Sequence, residues 1–192
     1  MIPAPVHTIM QHLDLGIFPI LCTERLLLRE LVPSDAPALF FLRTDPRVME
    51  HIGRPRPAAI AEVEALIATI RKDREENNGI TWAITLQGSQ DLIGSIGYYR
   101  LKKEHYRGEV GYMLHPDHWR KGVMGEALEA VVRCGFEQLG FHSIEAMTDP
   151  RNAASNGLLR KHGFVQEALF REDFFWNGQF LDTAVWSRLA RQ

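Results

Sequence analysis

The residues whose types and spacing suit chemistry fall in two short runs. The first, His115-Pro116-Asp117-His118-Trp119-Arg120-Lys121-Gly122-Val123-Met124-Gly125-Glu126-Ala127, reads as a strand end, a basic glycine-bearing loop and a helix start. Amides at a helix start have no acceptor inside the helix and the dipole there is positive, so such a junction attracts anions. Gly122 would let backbone approach a phosphate closely, and Arg120 and Lys121 add charge. A plain connection whose glycines only turn the chain fits the same residues. The second run, Asp149 to Phe164, carries Asn152, Ser155 and Asn156. Alone, it is a helix N-cap with a first-turn serine. Beside the first run it is a second polar helix start after a second strand, and parallel strands bring such starts to one sheet edge.

Several other chemistries are excluded by motif. There is no Gly-x-x-x-x-Gly-Lys-Ser/Thr loop, and Gly94-Ser95-Ile96-Gly97 lies between strands rather than opening a helix, so no nucleotide fingerprint is present. No Gly-x-Ser-x-Gly elbow occurs. His115 and His118 have no cysteine or carboxylate set at tetrahedral spacing, so no metal is expected. The 22 Lys plus Arg against 24 Asp plus Glu give a formal net charge of -2, which argues against nucleic acid and anionic membrane as partners. No apolar run reaches transmembrane length, and residues 1–20 lack the basic-then-apolar order of a secretion signal. Cys22 and Cys134, expected as core residues, suit a reducing cytoplasm.

The elements that must position these runs follow from hydrophobic period. With 192 residues, 45% of them hydrophobic, one α/β domain with extensions is expected. Residues 1–20, with three prolines and no period, read as an arm for the surface or a partner; Ile9, Leu13, Leu15 and Ile17 would dock on a neighbour in a homodimer. Residues 21–192 form the domain. A strand over Arg25 to Leu31 leads through the cap Pro33-Ser34-Asp35 to a helix ending near Arg43, and a second helix covers Pro57 to Asn77. Three strands follow (Ile80 to Leu86, Leu92 to Leu101, Tyr106 to Leu114), joined closely enough for an antiparallel meander. Then come a helix over Gly122 to Leu139, a short strand over Ser143 to Met147, a helix over Asn152 to His162, and a hairpin of Phe164 to Trp176 with Gln179 to Leu189 turned by Asn177-Gly178.

The chain resembles the GNAT superfamily of acyl-CoA-dependent N-acyltransferases, in the branch of the ribosomal-protein alanine acetyltransferases. Thr23-Glu24-Arg25-Leu26-Leu27-Leu28-Arg29, Glu109-Val110-Gly111-Tyr112-Met113-Leu114, Trp119 to Leu128 and Asn152 to Phe164 carry the likeness, which spans Thr23 to Leu189. The family's Gln/Arg-x-x-Gly-x-Gly/Ala keeps Gly122 but has Trp119 first and Met124 last. The resemblance implies a mixed, mostly antiparallel sheet of about seven strands, splayed between the fourth and fifth and flanked by helices. Acetyl-CoA would lie in the opening, with its pyrophosphate on the Arg120 to Gly125 loop, and would give its acetyl group directly to a primary amine, either a protein N-terminus or a small molecule. The alternative on the same fold is a non-catalytic acyl-CoA sensor.

Roles follow from that likeness. Acetyl-CoA would be held by Met113, Leu114, His115, Trp119, Arg120, Lys121, Gly122, Val123, Met124, Gly125, Asn152, Ser155, Asn156 and Lys161, with Asn152 and Asn156 on its pantetheine arm. The acceptor would meet His51, Tyr98, Glu109 and Phe175. A terminal amine, with a pKa of about 7.7 to 8, needs only a modest base, for which Glu109 is the candidate; an ordinary strand glutamate paired with Arg107 or Lys103 is the other reading. The Met113 amide matches an oxyanion donor by spacing. Relatives place a tyrosine acid where this chain has Leu159, which leaves Ser155 to protonate the departing thiolate, or to serve only as a first-turn cap.

Overall fold

A computed structural model describes residues 13–190. Eight strands form one sheet in the order β1-β2-β3-β4-β5-β6-β8-β7. They are β1 (Leu21–Cys22), β2 (Leu26–Glu30), β3 (Ile80–Leu86), β4 (Gly94–Lys102), β5 (Arg107–Leu114), β6 (Ser143–Thr148), β7 (Val165–Trp176) and β8 (Gln179–Leu189), with helices α1 (Ala36–Thr44), α2 (Ile60–Glu75), α3 (Val123–Glu137) and α4 (Ala153–Lys161). The strand beyond the expected seven, β1, is two residues long, too short to carry an alternation. All neighbours are antiparallel except β5 and β6, which the α3 crossover joins in parallel. Asn177 (φ 47°) and Gly178 (φ 78°) are both left-handed, as a type I′ turn requires.

Each face of the sheet has its own core. Trp82, Ile96, Tyr98, Val110, Leu114, Ile144 and Trp186 pack against Ala127, Leu128 and Val131 of α3, while Leu31, Ala83 and Leu92 pack against Leu39, Leu42, Val63 and Ile67 of α1 and α2. Cys134 lies in the first core, where burial pushes its thiol up to about 11; Cys22, expected inside, is exposed on the edge strand β1. Of the segment before β1, residues 13–20 pack against the domain. Leu15 is fully buried, its amide donates to Asn77 Oδ1 (2.7 Å) and its carbonyl accepts from Arg74 (2.9 Å). Trp82 Nε1 donates to the Pro19 carbonyl (2.7 Å), and Leu13 packs on the same core. Leu15 is therefore unavailable to a neighbour, Leu13 is partly buried, Ile17 is exposed, and Ile9 lies outside the described residues.

Candidate active site

β5 and β6 share a register only over Arg107↔Ser143, Gly108↔Ile144 and Glu109↔Glu145, and Val110 to Leu114 have no partner on β6. This is the expected splay: once β1 is set aside, β5 and β6 are the fourth and fifth strands. Glu109 stands at the apex of the wedge.

At the wide end of the wedge, the short turn Pro116–His118 leads into the Trp119 to Gly122 loop. Arg120 (φ 58°) and Gly122 (φ 76°) both adopt left-handed backbone, the kind of turn in which neighbouring amides can converge on an anion. Gly122 is the N-cap of α3 and offers its first turn no side-chain acceptor, and the first intrahelical bond is Glu126 N–H to Gly122 O (3.1 Å). The amides of Val123, Met124 and Gly125 thus have no acceptor inside the helix, a donor set that fits the pyrophosphate of a CoA thioester. The loop is braced from behind by β2 and the residues before it. Glu126 accepts from Thr23 Oγ1 (2.5 Å), the Arg25 amide (2.9 Å) and Arg25 Nε (2.6 Å), and Arg25 Nη1 donates to Lys121 O (2.9 Å). Burial opposes the Glu126 charge, but the hydrogen bonds from Thr23 and Arg25 outweigh it and hold the carboxyl below its ordinary range.

The remaining loop residues divide by what they touch. Arg120 and Lys121 are exposed and free to meet phosphate, whereas the Val123 and Met124 side chains are buried. Trp119 folds its indole N–H back onto the Leu114 carbonyl (2.9 Å). His115 stacks on Phe41 of α1 (centroids 4.6 Å apart), and burial, aided by the Lys121 and His115 charges, lowers the His118 pKa. A Cβ on Gly125 would lie 2.7 Å from His162 Nε2, so this glycine lets the end of α4 cross α3 closely.

Backbone alternation decides which amides face the opening. The His115 amide donates to Ile93 O (2.8 Å), on the β4 side. Period two then turns the Met113 amide to β4 as well, opposite its register partner Ser95, and points those of Tyr112 and Leu114 into the wedge. The Met113 amide, expected to face the opening, therefore turns away from it, and those of its two neighbours face it. Across the wedge, Tyr112 Oη and Ser155 Oγ are 2.8 Å apart. Burial pushes the Tyr112 phenol up to about 12, the Ser155 hydrogen bond working the other way. Asn152 Oδ1 caps the Ser155 amide (3.0 Å). Asn156 is committed within its own turn: it donates to the Asp149 and Pro150 carbonyls (3.2 and 3.0 Å) and accepts from Thr148 Oγ1 (2.6 Å). It therefore holds the β6–α4 turn. Leu159 is core.

On the α1/α2 face, Glu109 is paired with Arg100 (3.0 Å) rather than with Arg107 or Lys103; Arg107 instead pairs with Glu145. His51 Nδ1 meets Asp149 Oδ2 (3.1 Å), whose carboxyl is held down at about 2: burial opposes the charge, and hydrogen bonds from Arg151 and His51 overcome it. The loop carrying His51 is seated by Gly53, where a Cβ would collide with the Phe174 ring. Two acceptor-side expectations are corrected. Tyr98 points to the α3 face, fully buried, with its hydroxyl on the Val131 carbonyl (2.8 Å), and Tyr99 takes the face of Glu109. Phe175 packs against Phe180 (5.0 Å) on the outer side of the hairpin, and Phe174 meets the loop. Tyr112 and Tyr99 are additions to the residues expected from sequence, whereas Phe174 belongs to the aromatic group that sequence offers as a wall of the acceptor pocket; alternation sets Tyr112 on the α3 face, opposite Glu109.

Comparison with known proteins agrees with this geometry. The acetyltransferase (GNAT) domain family matches residues 25–165. The uncharacterized N-acetyltransferase YoaA of Bacillus subtilis is 38% identical over 171 residues, 89% of this chain and 97% of its own. The uncharacterized N-acetyltransferase p20 of Bacillus licheniformis is 30% identical over 90% of this chain and 97% of its own. Among solved structures, the ribosomal L7/L12 α-N-protein acetyltransferase RimL in complex with coenzyme A superimposes with a TM-score of 0.82 at 18% identity, covering 89% of this chain and 98% of that one, a likeness of fold. With a domain match over most of its length and relatives that align nearly end to end, the chain belongs to the GNAT acetyltransferase family.

Proposed function

We propose that this enzyme transfers the acetyl group of acetyl-CoA to a primary amine, a protein N-terminus or a small molecule, by direct attack in a ternary complex in the cytoplasm. The observation that carries the reading is the wedge itself, with a carboxylate at its apex, unclaimed amides along one wall, hydroxyls across it and a left-handed loop at its mouth. Acetyl-CoA supplies a thioester that a neutral amine can attack. The loop of Arg120 to Gly122 and the first amides of α3 hold its pyrophosphate, with Lys121 and Lys161 adding charge. Glu109, paired with Arg100, accepts the proton the amine must lose, directly or through water. The wedge-facing amides of Tyr112 and Leu114 donate to the oxygen on which charge develops. Ser155 donates to the departing sulfur and takes a hydrogen bond from the Tyr112 phenol, which at a pKa of about 12 remains protonated at neutral pH. In this chain the hydroxyl pair stands in for the tyrosine acid that Leu159 removes.

The test is stoichiometry. With acetyl-CoA and N-terminal peptides or small amines, thiol release should require the amine and match acetylated amine mole for mole. Thiol without acetylated amine would leave a thioesterase, and tight acetyl-CoA binding without either product would leave the sensor reading.

A further inference from the structure

On the α1/α2 face, beside Glu109, two cations stand without an anion. Arg54 lies over the Tyr99 ring, 6.0 Å from its centroid, and Arg43, half buried in the last turn of α1, is within charge reach of both Arg54 and Tyr99. Tyr99 is the register partner of Glu109 on β4, and its ring covers Gly111, where an added Cβ would sit 3.2 Å from the ring edge. The arginines therefore flank the apex of the wedge, on the sheet face opposite α3 and its phosphate loop.

Three carboxylates of this face are already matched, Asp45 with Arg47 (2.6 Å), Glu109 with Arg100 (3.0 Å), and Asp149 with Arg151 (2.6 Å) and His51 (3.1 Å), while Glu50 of the same loop is exposed. Among the described residues neither Arg43 nor Arg54 has an ion pair or a hydrogen bond from its guanidinium. Burial first, and then the neighbouring Arg54 charge, lowers the Arg43 pKa. Holding two like charges together in a partly desolvated site is unfavourable unless an anion joins them. Arginine forks are suited to carboxylate and phosphate. The loop that presents Arg54 is seated by Gly53 against Phe174 and followed by Pro55, which restricts the backbone that carries the cation.

We infer that Arg43 and Arg54 form an anion subsite for the acceptor, so that the preferred substrate is an amine carrying a carboxylate or phosphate close to the reacting nitrogen, and not a polycation. This deepens the acetyl-transfer reading and rests on it.

Four acceptors test it: alanyl-alanine amide, alanyl-aspartate amide, alanyl-phosphoserine amide and spermidine. The expected result is a kcat/KM for one or both anionic peptides at least about tenfold above that of the neutral peptide, carried mainly by KM, with spermidine the poorest. The two anionic arms tell carboxylate from phosphate. Arg43→Gln and, separately, Arg54→Gln should collapse the anionic-to-neutral ratio toward one while CoA still raises the melting temperature of each variant. Arg54 is exposed, so its variant reports even if Arg43→Gln fails to fold. Equal rates for neutral and anionic peptides, or a ratio that survives both substitutions, would overturn the subsite and leave acetyl transfer standing. No transfer to any of the four by a protein that binds CoA would overturn both.

Discussion

The two sides of the wedge are built differently. The proposed donor side is a local device: one loop and one helix start, Trp119 to Glu126, braced by three hydrogen bonds from Thr23 and Arg25 onto a single carboxylate. The proposed acceptor side is assembled from distant pieces: the end of α1, the 49–57 loop, Tyr99 of β4, Asp149 after β6 and Phe174 of β7. A backbone site for a constant ligand needs only loop shape. A side-chain site for a variable ligand is fitted from loops that tolerate change.

The separation can be broken at either side. Gly122→Asp would place a side chain and a negative charge in the left-handed loop, so CoA affinity should fall by roughly a hundredfold or more and the thermal shift with CoA should disappear. An unchanged shift would remove the loop from the donor site. On the other side, Gly53→Ala forces the Phe174 ring to move; the acceptor KM should rise roughly three- to tenfold at constant acetyl-CoA KM. A rise in the acetyl-CoA KM instead would merge the two sides.

Ser155→Ala sharpens the comparison at the point where the sides meet. A donor to the departing sulfur predicts a lower rate at saturating CoA with little change in CoA affinity. A residue that only completes the helix start predicts lower stability with full activity per folded molecule. Since Asn152, not the Ser155 side chain, caps the α4 amide, the stability loss should be well below the roughly 1 kcal/mol of a true N-cap. Smallest is the effect of Tyr112→Phe on alkaline stability. The phenol is raised from an unfolded value near 10 to about 12, so its contribution is full below about pH 10 and is lost as pH rises toward 12. The variant's urea midpoint should depend less on pH across that window than the wild type's.

What was legible in the sequence follows the same division. The Asn177-Gly178 turn, the glycine loop before α3 and the Asn152 cap are local, and each forms where its residues dictate. Faces were harder: Gly94 to Tyr98 of β4 are buried on both sides, so polarity gave no alternation by which to separate Tyr98 from Tyr99. The Arg43 and Arg54 pair, and Tyr112 meeting Ser155, depend on long-range packing that no spacing encodes. Likewise the arm's prolines hid Leu15, whose place in the core is set by Asn77 and Arg74.

The chemical centre of the account is Glu109 at the apex, and Glu109→Gln tests it most directly. The substitution keeps shape and the reach to Arg100 while removing the base. Measured on one preparation, CoA affinity should stay near wild type while turnover at saturating amine falls by roughly ten- to a thousandfold, with the rate recovering as pH rises and the amine loses its proton unaided. Turnover equal to wild type across that pH range would contradict the account and leave Glu109 as the strand partner of Arg100.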